Sequence, residues 1–136
     1  MKFVTSALRW LPALFILCCS WYLSSQPTLQ YMPGFWNADK VVHCICFAGF
    51  AFWIAFGLGL RLKVKLRIVL PILLIALYAV VDELHQSHTP GRSCSVFDWL
   101  ADVSGATIGS FVFYFVSQKI VAWWQKRKER LSSERA

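Results

Sequence analysis

The chain has 136 residues, enough for one compact domain, and a formal net charge of +7. Hydrophobic residues make up 57% of it and charged residues only 15%, whereas soluble domains average about 45–50% apolar and about 25% charged. This composition excludes an ordinary water-soluble domain. Long apolar blocks separated by short charged patches are typical of a polytopic membrane protein, and with no nucleic-acid module in the sequence we expect no nucleic-acid partner.

Four apolar stretches predict four transmembrane helices, because a hydrocarbon core of about 30 Å needs about 20 apolar residues of helix. In chain order the predicted spans cover about residues 7–24, 39–60, 66–83 and 97–124. We interpret the first as an uncleaved helix rather than a signal peptide, since Trp21, Tyr22 and Leu23 spoil a small-residue cleavage site. The predicted fold is therefore all-α, with a four-helix domain over residues 1–125 and a basic tail over residues 126–136.

The basic residues predict the orientation, since short cytoplasmic segments carry an excess of Lys and Arg. Twelve of the fourteen fall on one side of a four-helix path, namely Lys2, Arg9, Arg61, Lys63, Lys65, Arg67, Lys119, Lys126, Arg127, Lys128, Arg130 and Arg135. Only Lys40 and Arg92 remain for the other side. Both termini are therefore predicted to be cytoplasmic, with the basic tail lying against anionic membrane lipids.

A second group of ionisable residues, mostly acids and histidines, maps to the opposite side of the membrane. Five of the seven acids, two basic residues and three histidines lie there, namely Asp39, Asp82, Glu83, Asp98, Asp102, Lys40, Arg92, His43, His85 and His88. An ionisable side chain at the centre of a membrane helix costs about 2.5–3.5 kcal/mol on insertion scales, so such residues are functional candidates. We therefore predict a shared polar pocket at the outer ends of the second, third and fourth helices.

Helical spacing groups some of these side chains. Asp39 and His43 are four residues apart, and so are Asp82 and Gln86, which puts each pair on one helical face. In the fourth helix, a stripe of small residues lies on the same face as Asp98 and Asp102. This stripe consists of Ala101, Gly105 and Gly109. Small residues at four-residue intervals let helix backbones approach closely in a membrane, so this stripe predicts a helix-packing face.

The connection before the fourth helix contains a predicted turn. Pro90 and Gly91 favour a reversal of the chain that would bring Arg92 back to grip a carboxylate in the pocket. Cys94 follows in the same connection, and the other four cysteines fall inside predicted spans, so no disulfide framework is expected.

Three polar motifs follow one another along the last three helices. They are Asp39-Lys40-x-x-His43, Asp82-Glu83-x-x-Gln86-x-x-x-Pro90-Gly91-Arg92, and Asp98 with Gly105. The pattern, over roughly residues 37–109, resembles the VanZ-like family of small bacterial membrane proteins. The resemblance implies a multi-pass protein of the bacterial inner membrane, with these polar residues as its signature. It also implies a link to the cell envelope and to glycopeptide resistance, but no established reaction.

The favoured function is binding of a cell-envelope component, either a lipid head group or a lipid-linked peptidoglycan precursor, with an effect on glycopeptide susceptibility. The predicted ligand-binding residues are Lys40, His85, Gln86, Arg92 and Asp102. Cationic side chains would contact phosphate or carboxylate groups of the ligand. Nothing in the sequence predicts an oligomeric state.

Two alternatives stay open. One is a membrane-embedded hydrolase or transferase acting on a lipid-linked envelope substrate, with candidate catalytic residues Asp39, His43, Asp82, Glu83 and Asp98. In this enzyme alternative, Asp39, His43 and Glu83 are candidate ligands for a divalent metal such as Mg²⁺, Mn²⁺ or Zn²⁺. The other is a purely structural ion-pair network that fixes helix register. An ion-coupled transporter is least favoured, because the inner halves of the spans carry almost no ionisable residue.

Overall fold

The computed structural model describes residues 7–27 and 34–134. Within these residues the fold is all-α, as predicted, with no strand. The four helices are α1 (Leu11–Ser24), α2 (Ala38–Leu58), α3 (Val64–Ser87) and α4 (Val96–Ser133). Lys2 and Arg135, which contributed to the predicted orientation, lie outside the described residues.

Three helices, α2, α3 and α4, are long and apolar enough to cross a membrane. With 21, 24 and 38 residues, and a rise of about 1.5 Å per residue, they measure about 32, 36 and 57 Å. Each exceeds the hydrocarbon thickness of about 30 Å. The last helix runs past its predicted end at residue 124, so most of the predicted tail, residues 126–133, is helical.

The first predicted span differs from the structure. It contains an apolar helix of only 14 residues, about 21 Å long, which is shorter than a membrane span. The amide of Trp10 closes a separate turn onto the carbonyl of Ala7, at 3.0 Å. Pro12 follows in the first turn of α1, where a residue without an N–H is tolerated. Ala7 and Leu8 are helical as predicted, but the turn at Arg9 and Trp10 separates them from α1, which begins at Leu11.

Although α1 is short, the segment from Trp10 to Ser24 contacts residues toward both ends of the bundle. A Cβ atom added to Gly57 would lie 2.7 Å from Cδ2 of Trp10, so the start of α1 packs against the last turn of α2. At the C-terminal end of α1, Ser24 Oγ donates a hydrogen bond to Asp82 Oδ1, near the end of α3. Consecutive helices therefore run in opposite directions.

The two ends of this bundle differ in charge. We call one the acidic end, because the last two turns of α3 and the first two turns of α2 and α4 carry Asp39, Asp82, Glu83, Asp98 and Asp102. We call the other the basic end, because it carries Arg9, Arg61, Lys63, Lys65, Arg67 and the basic residues of α4 beyond Ser117. The grouping of charges predicted from the sequence is thus reproduced in space.

The most extensive helix interface joins α2 to α4. A Cβ atom added to Gly105 would overlap the carbonyl of Cys44, and one added to Gly109 would overlap the carbonyl of Ala48. The two backbones are therefore in direct contact, which only residues without a side chain allow. Ala101, the third member of the predicted stripe, is half-buried further toward the acidic end. This interface fixes the height of α4 relative to α2.

The apolar core lies at mid-height, between the two charged ends. Its buried members are Ala13, Phe47, Phe50, Ala51, Ile54, Ile75 and Ala106. Large apolar side chains on the outward faces, such as Leu77 and Phe115, are exposed. An apolar exterior around an apolar core is the arrangement that a lipid environment favours.

Candidate functional site

Three helices bring a polar group together at the acidic end. His43 on α2 and Asp102 on α4 are paired, with Nδ1 and Oδ1 2.9 Å apart. Glu83 on α3 lies beside them, and one ligand atom from each of the three residues falls within 4.8 Å of the others. Asp102 is fully buried and Glu83 nearly so. We call His43, Glu83 and Asp102 the central cluster.

Each carboxylate of the central cluster has one oxygen engaged. Oε2 of Glu83 accepts a hydrogen bond from the backbone N–H of Ser95, at 2.6 Å, and Oδ1 of Asp102 is the partner of His43. The second oxygens, Glu83 Oε1 and Asp102 Oδ2, are buried and have no hydrogen-bond partner among residues 7–27 and 34–134. A buried carboxylate oxygen without a partner is unfavourable, so these two atoms mark a place where a ligand would be stabilised.

A second polar group lies nearer the surface. Lys40 Nζ contacts Asp39 Oδ2 at 2.7 Å and Asp98 Oδ1 at 2.8 Å, so it joins α2 to α4. The side chain of Asp39 is 44% exposed. Ion pairs in contact with solvent contribute about 0–1 kcal/mol, so this group adds little to stability. Asp39, predicted to share a site with His43, lies outside the central cluster.

A third polar group joins α1 to the end of α3. Asp82 accepts from Ser24 Oγ at 2.7 Å and from Gln86 Nε2 at 3.0 Å, so both of its oxygens are engaged. Gly91, with φ of +80°, makes the turn expected before Arg92. Arg92 Nη2 then donates to Oε1 of Gln86 at 2.8 Å rather than pairing with a carboxylate as expected, and Gln86 in turn donates to Asp82.

The other two histidines lie apart from the central cluster. His85 stacks on Trp21 with ring centroids 4.0 Å apart, and its Nε2 is 2.9 Å from Ser25 Oγ. His88 is exposed, with Nδ1 2.7 Å from the carbonyl oxygen of Leu84. His85 therefore helps to hold α1 against α3, and His88 makes a contact within its own helix end.

Two residues of the site were absent from the sequence prediction. Ser24 is 58 residues from its partner Asp82, and no sequence pattern connects them. Ser95 is the N-cap of α4, and its Oγ accepts from the backbone N–H of Asp98 at 3.3 Å. The Ser-x-x-Asp spacing of a capping box would have located this cap, although not the contact with Glu83.

The thiol of Cys94 reports on the charge of this end. It is exposed in the connection between α3 and α4. Loss of solvent around the thiol, followed by the negative charge of Glu83, raises the pKa of Cys94 above its ordinary value. The loop therefore lies close enough to the central cluster to sense it.

A cleft of about 340 Å³ opens between α1 and α2 and leads to these polar groups. Its size falls in the range of about 300–1,000 Å³ that is usual for small-molecule sites. Phe15 and Ile45, which line its outer part, are 69% and 67% exposed, so the cleft opens on the flank of the bundle. The polar residues that line it are found toward the acidic end and include His43, Asp82, Gln86 and Arg92. The cleft thus changes from apolar to polar along its length.

The comparisons with known proteins give one match. The family model described as VanZ/LLP1 matches residues 4–117. No curated protein and no solved structure matches the chain. Because the match covers most of the chain, the protein belongs to the VanZ/LLP1 family, which confirms the resemblance inferred from the polar motifs. Together with its three long apolar helices, this makes it a helical membrane protein.

Proposed function

We propose that the protein crosses the bacterial inner membrane four times, with both termini cytoplasmic and the acidic end outward. The positive-inside distribution of Lys and Arg supports this orientation. The fourth crossing is supported by α1, whose first residues pack against the end of α2 and whose last residue contacts Asp82. Although α1 alone is about 21 Å long, the segment from Trp10 to Ser24 contacts both the last turn of α2 and the acidic end of α3, so we place it across the bilayer beside them.

At the acidic end the protein binds an amphiphilic molecule of the cell envelope that has a phosphate-bearing head group. The observation that carries this proposal is the cleft between α1 and α2, which is apolar on the flank and polar at its inner end. An apolar chain would enter from the lipid side, since the exposed Phe15 and Ile45 form the outer part. The head group would then lie against Gln86 and Arg92.

Arg92 is the residue best placed to recognise the phosphate. Arg92 is half-buried, and among residues 7–27 and 34–134 its guanidinium makes one hydrogen bond, to Gln86 Oε1. A guanidinium carries five N–H donors, and it pairs with phosphate oxygens in a planar, bidentate geometry. Such charge-assisted hydrogen bonds are worth about 1.5–3 kcal/mol each, enough to determine selectivity for a charged head group.

A phospholipid and a lipid-linked peptidoglycan precursor share this chemistry. Either would place a phosphate beside an apolar chain, and sequestration of the second would alter susceptibility to glycopeptide antibiotics, which act at the cell wall. We therefore expect a change in glycopeptide susceptibility in cells that express the protein. Dioleoyl phosphatidylglycerol and undecaprenyl phosphate are suitable probes to distinguish the two sources.

Cleft binding is tested with a variant that fills the cleft. Gly49 lines it, and a Cβ atom added there meets nothing within 4 Å, so Gly49→Phe adds a ring without a backbone clash. Native mass spectrometry of the full-length protein in detergent measures binding of each probe lipid. We expect Gly49→Phe to abolish binding of the preferred lipid. Leu77→Phe, which adds a ring on an exposed face of α3 outside the cleft, is the matched control.

Head-group recognition is tested with Arg92→Gln. Loss of a charge-assisted hydrogen bond should weaken lipid binding about tenfold or more. Arg61→Gln, at the basic end, should leave it unchanged. Equal binding by the wild type and Gly49→Phe would exclude the cleft, whereas equal binding by the wild type and Arg92→Gln would exclude the proposed head-group contact.

The orientation is tested with Cys94, the cysteine between α3 and α4. In a background with the other four cysteines changed to Ser, a membrane-impermeant maleimide should label Cys94 in intact spheroplasts. A cysteine introduced by Arg61→Cys, with Cys94→Ser, should be labelled only after permeabilisation. The reverse pattern would place the acidic end in the cytoplasm.

A hydrolase or transferase acting on a lipid-linked envelope substrate is the second candidate. It is favoured by one observation: His43 lines the cleft while Asp102 holds its Nδ1, and a carboxylate that orients an imidazole in this way prepares a general base. We expect release of inorganic phosphate from undecaprenyl pyrophosphate, lost in His43→Gln. Binding of this lipid by the wild type without phosphate release would leave binding as the function.

A further inference from the structure

We infer that the central cluster of His43, Glu83 and Asp102 binds one divalent transition-metal ion, Zn²⁺ or Mn²⁺. The three residues come from three different helices, so an ion held between them would tie α2, α3 and α4 together. This inference goes beyond the proposed lipid ligand and does not depend on it.

The geometry of the donors supports an ion. One ligand atom from each residue lies within 4.8 Å of the others. Zinc is coordinated by histidine nitrogen and carboxylate oxygen at about 2.0–2.2 Å, so small rotations of the two carboxylates would bring all three donors around one centre. The helices of His43 and Asp102, α2 and α4, are held in place by the close contact between Gly105 and the backbone of Cys44.

The unpartnered oxygens point to a ligand independently of the spacing. Glu83 Oε1 and Asp102 Oδ2 are buried without a hydrogen-bond partner in the described part of the chain. Both residues are more than nine-tenths buried. Buried carboxylate oxygens nearly always have a hydrogen-bond or ionic partner. Two unpartnered oxygens in one cluster therefore indicate a place for a cation, and a metal ion is one.

The charge balance leads to the same conclusion. The two cationic side chains of the acidic end are engaged elsewhere, Lys40 with Asp39 and Asp98, and Arg92 with Gln86. Among the described residues, neither a Lys nor an Arg forms an ion pair with Glu83 or Asp102. Two like charges at short range repel strongly where the effective dielectric constant is low, and a divalent cation would offset both.

The donor set selects the kind of metal. Imidazole suits Zn²⁺ and two carboxylates also suit Mn²⁺, whereas Mg²⁺ and Ca²⁺ are usually held by oxygen ligands alone. Three protein ligands are the number found at zinc sites that keep one position open for water or substrate. If the proposed lipid function is correct, that open position is where a head-group phosphate would meet the ion, since His43 lines the cleft.

Metal content of the purified full-length protein tests the inference. The protein is treated with chelator in detergent, without added lipid, dialysed against ZnCl₂ or MnCl₂, and measured by mass spectrometry of the metal. We expect about one ion per chain in the wild type, since the three donors define one centre. Glu83→Gln and Asp102→Asn should lose the ion, and Glu129→Gln, at the exposed basic end, should keep it.

A thermal measurement on the wild type alone keeps the inference open to refutation if the variants do not fold. Since a ligand that binds the folded state raises its stability, ZnCl₂ or MnCl₂ should raise the Tm of chelator-treated protein. Substoichiometric metal in the wild type, with no change in Tm, would overturn the inference. Loss of the ion from Asp39→Asn but not from Asp102→Asn would overturn the assigned ligands. Neither outcome would affect lipid binding as tested with Gly49→Phe.

Discussion

The acidic end and the basic end of the bundle carry charge in two different ways. At the acidic end, Asp82 and Asp102 are 1% and 0% exposed and contact residues of other helices. At the basic end, Lys63 and Arg127 are exposed on the surfaces of a connection and a helix, and among its basic residues Arg67 is the buried one. Exposed charges suit the orientation of helices at a membrane surface, and buried charges suit a site. Burial, not the number of charges, separates the two roles.

The largest expected difference between the ends concerns helix packing. Gly105→Ala would push a methyl group into the backbone carbonyl of Cys44, which cannot move without displacing α2. We expect the free energy of unfolding to fall by about 3 kcal/mol, the upper end of the usual cost of overpacking. SDS-induced unfolding in detergent, followed by circular dichroism, measures it.

Gly57→Ala at the basic end is the matched control. Its new methyl group would meet the indole ring of Trp10, which is a side chain rather than backbone and would have to shift, and alanine favours a helix over glycine by about 0.5–1 kcal/mol. We expect a loss of stability clearly smaller than that of Gly105→Ala. If Gly57→Ala proves as destabilising as Gly105→Ala, the α2–α4 contact is not the rigid element that positions the site.

A smaller difference is expected from removal of one acid at each end. Asp82→Ala would leave the buried Ser24 hydroxyl without its acceptor, while the Gln86 amide keeps its hydrogen bond to Ser24 Oγ. One unsatisfied buried group costs about 1–2 kcal/mol, so unfolding should become easier and α1 should become more susceptible to proteolysis. Glu129→Ala, on the exposed basic end, should change stability by less than about 0.5 kcal/mol. Equal stabilities for the two variants would mean that the contact between Ser24 and Asp82 does not hold α1.

The smallest effect is on thiol reactivity. Because the thiolate is the reactive form, and because loss of solvent and then the Glu83 charge raise the pKa of Cys94, the wild-type thiol should react slowly with maleimide at neutral pH and faster as the pH rises. Glu83→Gln should increase the rate at neutral pH. Maleimide kinetics in detergent, with the other cysteines changed to Ser, measure the difference.

A thiol at the basic end provides the contrast. A cysteine introduced by Arg61→Cys, with Cys94→Ser, has no acid of the central cluster beside it, so its labelling rate should not respond to Glu83→Gln. An unchanged rate at Cys94 would show that the Glu83 charge does not reach the loop. An equal change at both cysteines would show that Glu83→Gln does not act through a local charge.

The sequence predicted the helices better than it predicted the contacts between them. The predicted boundaries of α2, residues 39 and 60, lie within two residues of the observed ones, because a long apolar run bounded by polar segments identifies a helix directly. Asp39 and His43 were placed on one face, yet their partners are Lys40 and Asp102 respectively. Helical spacing determines which side chains share a face, but the partner on a neighbouring helix depends on the height at which the two helices pack.

The first helix shows the same limit. Its apolar composition was recognised, but Pro12 shortens the regular helix to Leu11–Ser24. Its role as a wall of the cleft, and the contact of Ser24 with Asp82, could not be read from spacing, since the two residues are 58 positions apart.

The amino-acid sequence alone determined that the chain is helical and apolar, that most of its acids and most of its bases lie at opposite ends, and which family it resembles. These properties follow from composition and local periodicity, which act over a few residues. Only the tertiary structure decided that His43, Glu83 and Asp102 meet, and that a cleft reaches His43 from the flank. Those features depend on how deeply the small-residue stripe of α4 seats against α2, a contact between residues about sixty positions apart.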